Sequence, residues 1–225
     1  MKLLIDDADT GKIRRLWEYY PCDGVTTNPS ILAKSGRKPY EVLQEIRSII
    51  GARADLHVQA LSRKSDDMVA EAHRIVEMLG EATIVKIPAT EEGLRAIRLL
   101  NGQGFSITAT AIYTPMQAFL AGKAGADYAV PYVNRIDNLS GDGVQTAKEI
   151  HDMFQANGMK TQVLAASFKN ARQVLELAKH GIGGATVGTA VFEALLNNPC
   201  VDHAVEAFIT DFEALTGEGK TMLHI

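Results

Sequence analysis

Residues 83–100 read TIVKIPATEEGLRAIRLL. The first six are β-branched or apolar except for Lys86, a run too short for a helix and too apolar for a loop. From Thr90 onward the apolar residues recur at helical spacing, with Thr90 placed to cap the first turn. A buried strand running at once into an amphipathic helix is half of a βαβ unit, the building block of parallel sheets. The same unit recurs along the whole chain. Candidate strands are KLLID (2–6), GVTT (24–27), DLHVQA (55–60), TIVKIP (83–88), FSITAT (105–110), DYAVPY (127–132), TQVLAAS (161–167) and GATVG (184–188). Between them lie helical patterns such as YEVLQEIRSII, SDDMVAEAHRIVEML, VQTAKEIHDMF and NARQVLELAKH. Ser65 and Thr114-Pro115 also read as helix starts, and glycines close several helices.

Eight such units in about 200 residues predict a closed (β/α)8 TIM barrel in a single α/β domain spanning 1–225. An open eight-stranded sheet is the alternative. Polar residues fall at the C-terminal ends of nearly all the strands: Asp6, Thr26-Thr27-Asn28, Gln59, Lys86, Thr110, Tyr132 with Arg135, and Ser167. A barrel gathers such residues on one rim, whereas an open sheet confines a site to one switch point. Beyond the eighth unit, PCVDHAVEAFITDFEALTG predicts an extra C-terminal helix over about 200–215. Its apolar stripe must bury against its own barrel or a neighbouring subunit.

Composition excludes several function classes. With 46% hydrophobic and 22% charged residues the chain is globular, and its net charge of −4 argues against nucleic acid as a partner. No apolar run approaches the length of a membrane span, and MKLLIDDAD does not read as a signal peptide. Two cysteines, Cys22 and Cys200, without metal or redox spacing, suggest a reducing compartment, so a cytoplasmic location is expected. The six histidines form no ligand cluster, so no metal is expected, and each reads as a surface or capping residue.

Lys86 admits two readings. Strand side chains alternate, so if Val85 and Ile87 pack on helices, Lys86 points into the barrel. Desolvation there would favour a neutral, nucleophilic amine able to form a Schiff base with a ketone. Equally, it could snorkel from the strand end or pair with Asp6. In GVTTNPS (24–30), Asn-Pro ends a strand and presents hydroxyls and an amide suited to a polyol, unless Ser30 merely caps a helix. PYVNRID (131–137) places Arg135 as a phosphate ligand, or in a surface pair with Asp137 or Asp142. AASFKN (165–170) offers Ser167 with backbone N–H groups at a helix start.

Taken in order, LLID, GVTTNPSI, VKIPAT followed by EGLRAI, PYVNRID and LAASFK resemble the small-subunit transaldolase family over residues 2–215, closest to its fructose-6-phosphate aldolase branch. The resemblance implies a class I mechanism on a TIM barrel without a cofactor. Lys86 matches the Schiff-base lysine and Asp6 the proton-transferring aspartate. Thr26 and Asn28 match the sugar-binding turn, Arg135 and Ser167 the phosphate site. Thr110, Gln59 and Tyr132 match the residues that hold the catalytic water. Gln59 and Tyr132 follow the aldolase branch, in which transaldolases tend to carry glutamate and phenylalanine. The expected activity is therefore cleavage and formation of fructose 6-phosphate from dihydroxyacetone and glyceraldehyde 3-phosphate. The alternative is transfer of the dihydroxyacetone unit between sugar phosphates, as in the pentose phosphate pathway; a third reading is a non-catalytic sugar-phosphate-binding barrel. The resemblance also implies a homo-oligomer, a pentamer or decamer. Two stretches depart from the family pattern: Asp7 stands where threonine is usual, and TVGTAVFEAL lacks the usual Pro-Leu segment.

Overall fold

The computed structural model describes residues 1–225. Eight strands, β1 (Lys2–Asp6), β2 (Gly24–Thr26), β3 (Asp55–Gln59), β4 (Thr83–Pro88), β5 (Ile107–Ile112), β6 (Tyr128–Pro131), β7 (Gln162–Ala165) and β8 (Gly184–Val187), pair in parallel in chain order. The sheet closes through β1 and β8, with Ile5 opposite Val187. The TIM barrel is therefore confirmed, with its strands within two residues of the expected positions. Helices α1 (Thr10–Tyr19), α2 (Pro29–Lys34), α3 (Pro39–Ile50) and α4 (Ser65–Leu79) follow the first three strands. After them come α5 (Glu91–Asn101), α6 (Pro115–Ala124), α7 (Val133–Asp137), α8 (Gly143–Ala156), α9 (Ala171–His180) and α10 (Thr189–Ala194).

The chain divides into two units, Met1–Phe192 and Glu193–Ile225. The first holds the barrel. The second contains α11 (Pro199–Thr216), opened by Asn198, whose side chain accepts the Cys200 N–H. Val201, Val205, Phe208 and Leu215 along α11 are exposed, Phe208 at 70% and Leu215 at 83%. No helix of the chain is long and apolar enough to cross a membrane.

Strand alternation sorts the residues into two layers. Outward-facing Ile5, Val25, Val85, Ile87, Ala109 and Val163 join the helix residues in one large buried cluster. A second, small cluster of Leu4, Val130, Leu164 and Ala166 carries the opposite parity and fills the barrel interior. Much of that interior is polar. His57, Lys86, Thr26, Thr108, Thr110 and Thr186 are all buried. At its N-terminal end, Lys2 Nζ donates to Asp55 (2.6 Å) and to the Tyr128 hydroxyl (3.1 Å).

Three local expectations are corrected. Ser65 is the first helical residue of α4 rather than its cap; Lys64 is the N-cap, and the Ser65 N–H donates to Glu92 instead. In the strand-to-helix turn after β2, Asn28 and not Ser30 is the cap, accepting the Ile31 N–H at 3.0 Å. His57 is neither a surface nor a capping residue: it shares parity with Asp55 and Gln59 and is fully buried.

Candidate active site

Lys86 points into the barrel, as the packing of Val85 and Ile87 on the helices requires. Its side chain is 5% exposed, and Nζ donates to the Thr27 carbonyl at 2.7 Å. It neither snorkels out nor forms a close ion pair. Burial holds its pKa below the ordinary lysine value, with the Asp6 charge acting in the opposite sense. Asp6, at the end of β1, shows the complementary behaviour. Burial raises its carboxyl, while Lys86, the Thr26 bond and Arg135 pull it down and Asp7 pushes it up. Both groups are thus driven toward their uncharged forms.

Hydrogen bonds fix the carboxylate. The Thr26 hydroxyl donates to Asp6 Oδ1 at 2.7 Å and, having spent its one proton, accepts from the Thr186 hydroxyl at 2.5 Å. On the other side of the barrel, Thr110 Oγ1 and the Tyr132 hydroxyl lie 2.7 Å apart. Thr110 reaches this position by the regular alternation of β5, opposite Pro88 in unbroken register with β4; just beyond it Ala111 adopts φ 60°, and the register with β6 shifts between Ala109 and Ile112. Bulges of this kind re-aim side chains beside active sites. Ser167, just beyond β7, is also left-handed at φ 63°, and its carbonyl accepts the Asn134 N–H at 2.7 Å. Strain of this kind concentrates at functional rims.

Arg135 forms neither of the surface pairs considered for it. Asp137 accepts from the Gly143 N–H and Gln173, and Asp142 caps α8. The guanidinium instead lies 4.6 Å from the centre of the Tyr132 ring, with the Tyr113 phenol beside it, and that phenol raises its pKa further. Tyr113 and Tyr132 meet edge to face, with ring centres 5.7 Å apart. Gln59 is the register neighbour of Lys86 on the adjacent strand, and its side chain makes no hydrogen bond. Asn28 spends its carbonyl on the helix cap, which leaves its amide N–H groups available.

The structure therefore brings Asp6, Thr26, Gln59, Lys86, Thr110 and Tyr132 to the C-terminal mouth of the barrel interior, with Asn28 and Ser167 on the loops above and Arg135 on the short helix α7. It adds Thr186, Thr108, Tyr113 and His57, which sequence reasoning missed. His57 Nδ1 lies 2.8 Å from Thr108 Oγ1, its ring meets Tyr128 edge on, and its Nε2 is buried without a partner. Burial, with Lys86 and Lys2 nearby, holds its pKa well below 6.5. Strand parity alone places His57 inside, since it lies on the face opposite Val58, the one that carries Gln59.

Chemically, the site combines a desolvated amine, a proton-accepting carboxylate and a hydroxyl pair, with a cation at the rim. The model of a family described as Transaldolase/Fructose-6-phosphate aldolase matches residues 3–223. A protein of Geotalea uraniireducens, named probable transaldolase, is 41% identical over 95% of this chain and 98% of its own length. Similar proteins with the same name occur in Methanococcus maripaludis (41% identical, 95% of this chain, 98% of its own) and Thermodesulfovibrio yellowstonii (38%, 96% and 99%).

Proposed function

Since the chain belongs to the transaldolase/fructose-6-phosphate aldolase family and is an enzyme of that type, we propose that it transfers a dihydroxyacetone unit between sugar phosphates through a Schiff base on Lys86. The observation that carries this reading is Lys86 itself, an amine buried inside the barrel and held toward its neutral form beside a carboxylate. The relatives' shared name supports transfer over release.

Neutral Lys86 attacks the C2 ketone of the donor, and loss of water gives an iminium. Asp6 takes the C4 hydroxyl proton as the C3–C4 electron pair flows into the iminium; an aldose phosphate departs and an enamine stays on Lys86. The enamine carbon then attacks the aldehyde of a second aldose phosphate, Asp6 returns its proton to the new hydroxyl, and water frees the product. Arg135 and Ser167 hold the phosphate, and Thr26 with Asn28 positions the three-carbon unit. Tyr132, Thr110 and Gln59 hold the hydrolytic water.

A second reading, release of free dihydroxyacetone as a fructose-6-phosphate aldolase, is favoured by the Tyr132–Thr110 hydroxyl pair. A phenol there can hand a proton to the enamine, whereas a phenyl ring would leave it waiting for an acceptor. Borohydride trapping with fructose 6-phosphate tests the shared chemistry, and absence of an adduct at Lys86 defeats both readings. The product profile with and without erythrose 4-phosphate separates them: turnover that depends on the acceptor supports transfer, and free dihydroxyacetone supports the aldolase. We also propose that the exposed apolar stripe of α11 packs on another subunit of a homo-oligomer, within a single functional domain. The cysteine usage supports a cytoplasmic enzyme.

A further inference from the structure

The two departures from the family pattern, far apart in the chain, touch in the fold. β1 and β8 pair with Ile5 opposite Val187, so the residues just beyond them, Asp7 and Thr189, arrive side by side. The Thr189 hydroxyl donates to Asp7 Oδ2 at 3.0 Å across 182 residues of sequence. The other oxygen, Oδ1, accepts the backbone N–H groups of Ala8 (2.8 Å) and Asp9 (3.0 Å). Three donors therefore hold this carboxylate in one orientation. Asp7 and Asp6 line the same cavity of about 380 Å³, together with Thr189, Gly188 and Lys34. A side chain at Gly188 would meet nothing within 4 Å, so the cavity is open on that side.

We propose that Asp7 is a positioning residue for the reaction: Thr189 fixes its negative charge beside Asp6, and that charge keeps the proton taken from the substrate hydroxyl on Asp6. The inference rests on the role of Asp6 given above. Two like charges sharing one site disfavour double ionisation, so the fixed anion strengthens its neighbour as a base. The direction agrees with the upward influence of Asp7 on Asp6. Other groups act on Asp6 as well. Lys86 from β4 and Arg135 from α7 favour its ionised form, as does the Thr26 hydroxyl from β2, and Lys34 of α2 lines the cavity with a further cation. Asp7 is the one anion among them. The proton moves from the substrate C4 oxygen to an Asp6 oxygen while the C3–C4 pair enters the iminium, so Asp7 contributes charge and no atoms.

Asp7→Asn keeps the shape and the acceptor for Ala8 and Asp9 but removes the charge. Carbon-13 NMR of the aspartate carboxyls should show the Asp6 titration moving to lower pH in this variant. The acid limb of kcat/KM for fructose 6-phosphate cleavage should move the same way, while borohydride trapping at Lys86 stays complete. Thr189→Ala, which frees the carboxylate, should shift the limb in the same direction, and Thr189→Ser should restore it. An unmoved Asp6 titration in Asp7→Asn overturns the proposal, as does a Thr189→Ser limb that follows Thr189→Ala. Failure of the Schiff-base reading would show separately, as missing trapping in the parent enzyme, and the NMR titration would still decide the role of Asp7.

Discussion

Tyr132→Phe removes one oxygen from the site and little else. The ring keeps its face under Arg135 and its edge contact with Tyr113. What is lost is the 2.7 Å bond to Thr110, whose side chain is fully buried. A buried hydroxyl deprived of its partner costs about 1–3 kcal/mol. In a chain of this size each kcal/mol lowers Tm by roughly 2–4 °C, so a fall of roughly 2–12 °C is expected. Thr110→Val in the same protein removes the second partner, and the double variant should regain part of that loss, since replacing both partners is nearly neutral. The functional consequence is larger. If the phenol delivers the proton that releases dihydroxyacetone, release should slow by roughly 10²–10⁴-fold. Transfer to erythrose 4-phosphate, which bypasses that protonation, should fall far less. The assay is a thermal melt together with product partition from fructose 6-phosphate at saturating acceptor. An unchanged ratio of release to transfer in a folded Tyr132→Phe enzyme would refute the assignment of the phenol, and an unchanged Tm would refute the hydrogen-bond reasoning.

Two further outcomes follow from the same structure. His57 is neutral when folded because burial, then the charges of Lys86 and Lys2, hold its pKa well below 6.5, whereas the unfolded chain binds that proton at the ordinary value. Its contribution is therefore full above pH 6.5 and is lost as pH falls below it, with a slope approaching about 1.4 kcal/mol per pH unit. Asp6 acts in the opposite sense, because its raised carboxyl takes a proton more readily folded than unfolded. Urea midpoints between pH 7 and 5 should thus decline less steeply in His57→Phe than in the parent, and equal slopes would contradict the buried placement of the ring. On α11, Phe208→Glu places a charge in the exposed apolar stripe. Light scattering should show a smaller assembly than for the parent, and an unaltered mass would remove the stripe from the interface.

Much of the site could be read from strand periodicity. Because side chains alternate, identifying TIVKIP as a strand with Val85 and Ile87 on the helices already places Lys86 inside, and the closing polar residue of each strand then marks the rim. The same rule, applied to the adjacent strand β3, places His57 on the face of Gln59, although a histidine in isolation reads as a surface residue. Tyr113 carried less signal. Its place beside Arg135 depends on the irregularity at Ala111, which no local pattern announces.

The sequence by itself determined the order and kind of the elements, the closed parallel architecture and the inward placement of Lys86, since these follow from local spacing and from the alternation of one strand. The tertiary structure decided the partnerships. Closure of β1 onto β8 joins Asp7 to Thr189 and Thr26 to Thr186, and the pairing of three neighbouring strands sets His57 against Thr108 beneath Lys86. It also decided that Asn28 caps its helix and that Arg135 stacks on Tyr132 rather than pairing with Asp137. The physical reason is range. Periodicity reports which face a residue takes, but which groups meet across a barrel depends on register and closure, and these are set by all eight strands together.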